Sequence, residues 1–251
     1  MKLLAPYSLS YPLIKSTNFL MSDTALINFG CGILSISPIV AGHFILSSQV
    51  RYILLSWFCS FVSTVFLIIC SMTALFTKNS WIILLFSIPF DTLGKVILQR
   101  YAIKKPFLQS PKSKATIGFA CGIGYSLSHV LTLYVPILFD QPYSMDFDSN
   151  HPPLFPNSLD LSISHHSMCL FQIGVCLFLM RYPHSSFLVD WIISFVFQFC
   201  YSSLSIISII PLKLTLMVVI GYGLAIYMIK AFKTMPYQPP AQETQSIRTE
   251  E

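Results

Sequence analysis

The stretch Lys114–Val130, KATIGFACGIGYSLSHV, decides the fold, because its glycines fit two incompatible structures. Gly122-Ile-Gly124 could belong to a nucleotide-cradling loop, or Gly118 and Gly122 could form the small-residue face of a membrane helix. A nucleotide loop needs a preceding strand inside a soluble unit. The chain around it is 54% hydrophobic and 10% charged over 251 residues, with a mean hydropathy of +0.68. That is too apolar for a surface bathed in water. Read as a helix, Gly118, Gly122 and Ser126 recur every four residues and His129 lies seven beyond Gly122, so these four share one side. Small residues there let a second backbone come close, which strengthens dispersion contacts where lipid supplies no hydrophobic attraction between helices. Gly124 points away from that face.

Outward from this stretch, the chain divides into seven apolar segments long enough to cross a hydrocarbon layer of roughly 30 Å. The expected spans are 26–47, 53–76, 81–99, 115–139, 161–180, 187–209 and 212–233. Runs such as VRYILLSWFCSFVSTVFLIICSMTALF, Val50–Phe76, are continuously apolar rather than alternating, which selects helices over barrel strands. The expected fold class is therefore an all-α, polytopic membrane protein with seven transmembrane helices. Residues 1–25 read as an N-terminal extension with an alternative start at Met21, 26–233 as the membrane domain, and 234–251, polar and proline-rich, as a disordered cytoplasmic tail. No clear signal-peptide cleavage site follows the first residues, and no internal repeat marks an inverted-repeat transporter.

Basic residues set the orientation, since short Lys- and Arg-rich loops stay cytoplasmic. With the N-terminus luminal or extracellular, Arg51, Arg100, Lys104, Lys105, Lys112, Lys114, Arg181, Lys230, Lys233 and Arg248 fall inside. Lys2, Lys15, Lys78 and Lys213 fall outside, as does the long loop DQPYSMDFDSNHPPLFPN, which has no Lys or Arg. The C-terminus is then cytoplasmic. The net charge of +5 is a topology signal directed at anionic membrane lipids, with no reason to invoke nucleic acid.

Few residues suggest chemistry. The seven cysteines all fall in expected spans, where they read as packing residues. Asp91 and Lys95 are spaced to meet on one helical face. Such a pair faces a bundle interior or a wet cavity, neutralises itself, or reaches the interface of a short helix. His165 and His166 lie one turn before Cys169, but a metal needs about four ligands with supporting geometry, so no metal or other cofactor is expected. With Gln198 they read instead as a polar interior. The only glutamates, Glu243, Glu250 and Glu251, lie in the tail, which excludes a glutamate-based intramembrane hydrolase. An aspartyl mechanism would need Asp91 and Asp190 to share a proton; Asp190 sits at a helix start, where a carboxylate is an ordinary dipole partner. No catalytic set emerges, and no enzymatic activity is expected.

Several segments in order resemble the anterior-pharynx-defective (Aph) family, the multi-span scaffold subunit of gamma-secretase. NFGCGILSISPIVAGHF, Asn28–Phe44, is similar to that family's opening helix, which makes Met21 the counterpart of its start. Arg51 in QVRYI matches the arginine after the first helix. LGKVILQRYAIKK, Leu93–Lys105, resembles the end of the third helix, IGFACGIGYS the glycine repeat of the fourth, and MVVIGYGLAIYMIKAF the last helix. The family's third glycine is Ser126 here, its third-helix acid falls at Lys95, and its histidines in the fifth and sixth helices fall near Cys169 and Gln198. The resemblance implies a non-catalytic role in assembling and stabilising a complex with presenilin, nicastrin and the presenilin enhancer, along the route from endoplasmic reticulum and Golgi to plasma membrane. It implies a share in protein processing, including the Notch signalling pathway. A small-solute or ion transporter using Asp91, Lys95 and the histidines is the rival expectation. A seven-span receptor ranks behind both, because neither D-R-Y nor N-P-x-x-Y stands at the appropriate helix ends.

Overall fold

A computed structural model describes residues 14–74, 80–103, 111–134, 157–183, 186–207 and 209–234. The described residues form seven helices: α1 Ile14–Leu46, α2 Val50–Ala74, α3 Ser80–Ile103, α4 Pro111–His129, α5 Asn157–Arg181, α6 Phe187–Ser203 and α7 Ile210–Lys233. A π-helical turn, Val130–Tyr134, continues α4, and a 3-10 turn, Leu204–Ile206, continues α6. The expected spans match these in number and order. The first differs most: α1 begins at Ile14, within the segment read as an extension. Residues 135–139 of the expected fourth span, the loop that follows it and residues 235–251 lie outside the described residues.

Five helices, α1, α2, α5, α6 and α7, carry windows long and apolar enough to cross a membrane. Their outer faces show large apolar side chains, among them Phe44, Phe61, Trp57 and Val219, an arrangement suited to lipid and unsuited to water. Within α3 lie Asp91, Lys95 and Arg100, and α4 is rich in glycine and hydroxyls. These two helices need less apolar surface because protein covers much of them: from Ile117 to Val130 only Phe119 and Leu127 escape full burial.

Helix α4 is the centre. It packs most extensively on α5 and then on α2, while α5 turns its other side to α7 and receives α1; α3 joins α6 to α2. Glycine sets the first contact. A Cβ on Gly122 would stand 2.5 Å from the Ile173 Cα, and one on Gly118 3.2 Å from both the Cys176 carbonyl oxygen and the Leu177 Cα. Ser126 completes the face by donating its hydroxyl to the Gly122 carbonyl at 2.7 Å and across to the Cys169 carbonyl at 3.0 Å. Gly124, on the opposite side, presses equally closely on the Ser56 carbonyl and Cys59 of α2. The α5–α7 contact uses Gly221, whose Cβ position lies 2.6 Å from the Ser167 carbonyl oxygen. Around these contacts Ile117, Ala120, Ile123, Tyr125, Ile173, Leu177 and Met228 form the main apolar core.

A polar node ties α1 into the bundle. Pro38 lacks an N–H, so the Leu34 carbonyl one turn earlier has no helical donor. Ser37 donates its hydroxyl to that carbonyl at 2.8 Å, and His166 of α5 donates Nδ1–H to it at 3.0 Å. This fixes the tautomer and leaves Nε2 to accept the Tyr222 hydroxyl of α7 at 2.6 Å.

These contacts predict opposite outcomes for two glycines. Gly122→Leu forces side-chain atoms into the α5 backbone and should lower stability by about 3 kcal/mol. Gly223 has nothing within 4 Å of its Cβ position, so Gly223→Ala should be neutral or stabilising by about 0.5 kcal/mol. Thermal unfolding in detergent measures both.

Candidate functional site

The interior of the bundle holds one extended polar cluster, assembled from α3, α4, α5 and α6. Asp91 and Lys95, one turn apart on α3, pair at 2.7 Å, with both side chains at 5% exposure or less. The Lys95 ammonium also donates to Gln198 Oε1 of α6 at 3.3 Å and lies 5.3 Å from the Tyr125 ring centre of α4. Gln172 of α5 donates to the same Gln198 oxygen at 3.2 Å, and its amide nitrogen stands 3.4 Å from His129 Nε2. That imidazole nitrogen is 3.7 Å from Asp91 Oδ1. Below the pair, Gln99 donates its amide to the Leu179 carbonyl of α5. All three glutamines that fall within the described helices, Gln99, Gln172 and Gln198, are thus in or beside this cluster.

Two partners extend it. Ser128 donates to the Ser63 hydroxyl of α2 at 2.6 Å. At the far end of α3, Arg100 pairs with Asp190 at 2.6 Å. Asp190 sits in the first turn of α6, so its carboxylate meets the positive helix end and a guanidinium together. A separate pair, Lys213–Asp160 at 2.6 Å, links α7 to α5.

Helix α6 is built inside out relative to a soluble helix. Its buried residues are Asp190, Ser194, Gln198 and Tyr201, spaced four, four and three apart along one helical face, while Leu188, Ile192 and Val196 are exposed. Its named bonds to α3 are polar: Arg100–Asp190, Lys95–Gln198 and the Trp191 indole donating to the Pro89 carbonyl at 3.0 Å.

The expected site residues divide accordingly. Asp91, Lys95 and Gln198 come together. His166 does not join them and belongs to the α1–α7 node, while His165 bonds through Nδ1 to the Leu161 carbonyl of its own helix at 2.8 Å. His166 lies almost two turns before Gln172 along α5 and reaches α1 and α7 instead, which adjacency in sequence could not reveal. His129, assigned to the packing face with Gly118, Gly122 and Ser126, is buried against Gln172 and Asp91 and belongs to the polar cluster. Gln172, Gln99, Tyr125 and Arg100 went unassigned; isolated glutamines inside apolar spans were the available signal. Among the described residues no group of three or more His, Cys, Asp or Glu is arranged to hold a metal.

Chemically the cluster offers one buried cation, one carboxylate, an imidazole and three amides. Several of its atoms are buried without a hydrogen-bond partner: Asp91 Oδ1, His129 Nδ1, Gln172 Oε1, Gln99 Oε1, Tyr125 Oη and Ser194 Oγ. The π-helical turn begins immediately after His129, a departure from α-helix that often marks functional positions. Comparison with protein-family models and with curated protein sequences returns no match.

Because Lys95 and Asp91 share one buried site, Asp91→Asn should destabilise the protein by about 3 kcal/mol by leaving an ammonium uncompensated. Replacing both, Asp91→Leu with Lys95→Met, should cost clearly less than the single change. A single variant no worse than the double, by thermal unfolding, would show that the pair is not an interdependent unit.

Proposed function

We propose that this chain is a non-catalytic membrane scaffold, a divergent relative of the Aph family serving a gamma-secretase-like intramembrane aspartyl protease complex. On this reading all seven helices span, the N-terminus is luminal or extracellular, and the C-terminus is cytoplasmic. The observation that carries it is the α4 face of Gly118, Gly122 and Ser126 seated on α5. The segment with the family-like glycine repeat is also the one on which the bundle is assembled.

Two features support the reading. Asp91 is committed to Lys95 and Asp190 to Arg100, so neither carboxylate is arranged to share a proton with the other as an aspartyl dyad must. The basic residues Arg100, Lys112, Lys114, Arg181, Lys230 and Lys233 fall at the α3, α5 and α7 C-terminal ends and the α4 N-terminal end. In a seven-span chain these ends share one side, which agrees with a cytoplasmic face. The partners are presenilin, nicastrin and presenilin-enhancer homologues, with membrane lipids around them.

A second reading, a small-solute or ion transporter, draws on the unpartnered atoms around Asp91 and His129, since intramembrane ionisable groups commonly serve transport.

Purification of the tagged chain in mild detergent should bring down a presenilin or nicastrin homologue, and Gly122→Leu should abolish that association. Isolation of the wild-type chain alone would reject the scaffold reading. Solute uptake by proteoliposomes that is lost with Asp91→Asn would establish the transporter in its place.

A further inference from the structure

The seam between α3 and α6 carries a run of polar side chains beside its apolar contacts. From α3 it receives Asp91, Lys95, Gln99 and Arg100; from α6 it receives Asp190, Ser194 and Gln198. Two cross-links bound it, Arg100–Asp190 at one level and Lys95–Gln198 at the other. Ser194 lies one turn from both Asp190 and Gln198, and Gln99 one turn beyond Lys95. The Ser194 Oγ and Gln99 Oε1 atoms between the cross-links are buried without partners. Past Lys95 the seam continues to Asp91 Oδ1, Gln172 Oε1, His129 Nδ1 and Tyr125 Oη, equally unpartnered, on residues no more than 6% exposed.

Buried polar atoms in native proteins are almost always hydrogen-bonded, to protein or to ordered water. Six unpartnered atoms fall within one run of side chains, and their chemistry selects the occupant. Five, on Asp91, Gln172, Gln99, Tyr125 and Ser194, can accept hydrogen bonds, and two of those are amide carbonyls. A dehydrated cation is disfavoured, because Lys95 already supplies the positive charge beside Asp91. An acyl chain would leave every one of these atoms unsatisfied.

We propose that a column of exchangeable water fills the α3–α6 seam, entering beside Arg100–Asp190 and ending blindly at His129 and Asp91. The Arg100 side chain, 25% exposed, marks the open end. Tyr201, stacked on Phe171 at 4.1 Å within the apolar cluster of Val96, Val175, Leu179 and Met217, walls the seam on its α5 and α7 side. The column keeps α6 polar inward and apolar outward, and it puts an imidazole and a carboxylate within reach of bulk water from one side of the membrane. It holds for a scaffold and for a transporter alike.

Radiolytic hydroxyl-radical footprinting of the intact wild-type protein in H₂¹⁸O tests this without altering a residue, since radicals form where water resides. Tyr125 and His129, at 0% and 6% exposure, should be oxidised and should carry ¹⁸O after seconds of mixing. Met228 and Phe171, at 0% and 1% exposure and lining apolar clusters, should stay unmodified, although methionine is intrinsically the more reactive. Labelling of Tyr125 and His129 no greater than that of Phe171 would overturn the water column. Labelling that excludes ¹⁸O after minutes of mixing would overturn its connection to bulk water.

Discussion

The close approach of α4 to α5 is the constraint on which the remaining contacts depend. In lipid there is no hydrophobic gain from bringing helices together, so association rests on dispersion and hydrogen bonding, both steep in distance. At Gly122 the two backbones are nearer than any side chain would allow, and Ser126 adds a hydroxyl bond across the same gap. Because Gly124 does the same toward α2, α4 is held from two directions at once. Its rotation is thereby fixed, and with it the placement of Tyr125 and His129. The polar cluster follows from the packing, since a helix rotated by one residue would carry His129 away from Gln172.

The cluster contributes more to specificity than to stability. A buried ion pair seldom repays the desolvation of both charges, yet removing one partner is severe. Here Lys95 has its carboxylate on the adjacent turn and a glutamine oxygen on α6, and that oxygen also accepts from α5. One acceptor atom therefore registers three helices against one another. An apolar substitute could fill the same space but would not distinguish one axial position of α6 from another.

The sequence made the architecture legible more readily than the interior. Apolar run length gave seven helices in the observed order, and the four-residue spacing of Gly118, Gly122 and Ser126 gave the α4 face that meets α5. The start of α1 was missed because Pro12 and Lys15 interrupt the apolar run, whereas the helix begins at Ile14. Within the site, Asp91 and Lys95 were readable as a local pair. His166 was misplaced because its role depends on a carbonyl freed by Pro38 on another helix. Gln172 was passed over for a related reason: an amide without charge carries little weight in a hydropathy profile, and its partners lie at separations of 26 and 43 residues.

The spacing of the buried pair also bears on how the chain is made. Asp91 and Lys95 are four residues apart, whereas Gln198 follows Lys95 by 103 positions. On the seven-span reading proposed above, α3 enters the bilayer during synthesis long before α6 exists to receive its ammonium. A cation whose only counter-charge lay on a later helix would have to wait at the translocon or be held by another factor. An acid one turn upstream neutralises Lys95 within α3 itself, so late-arriving α6 needs only to offer that ammonium an amide; Arg100, in the last turn of α3, is the cation whose carboxylate, Asp190, comes with α6.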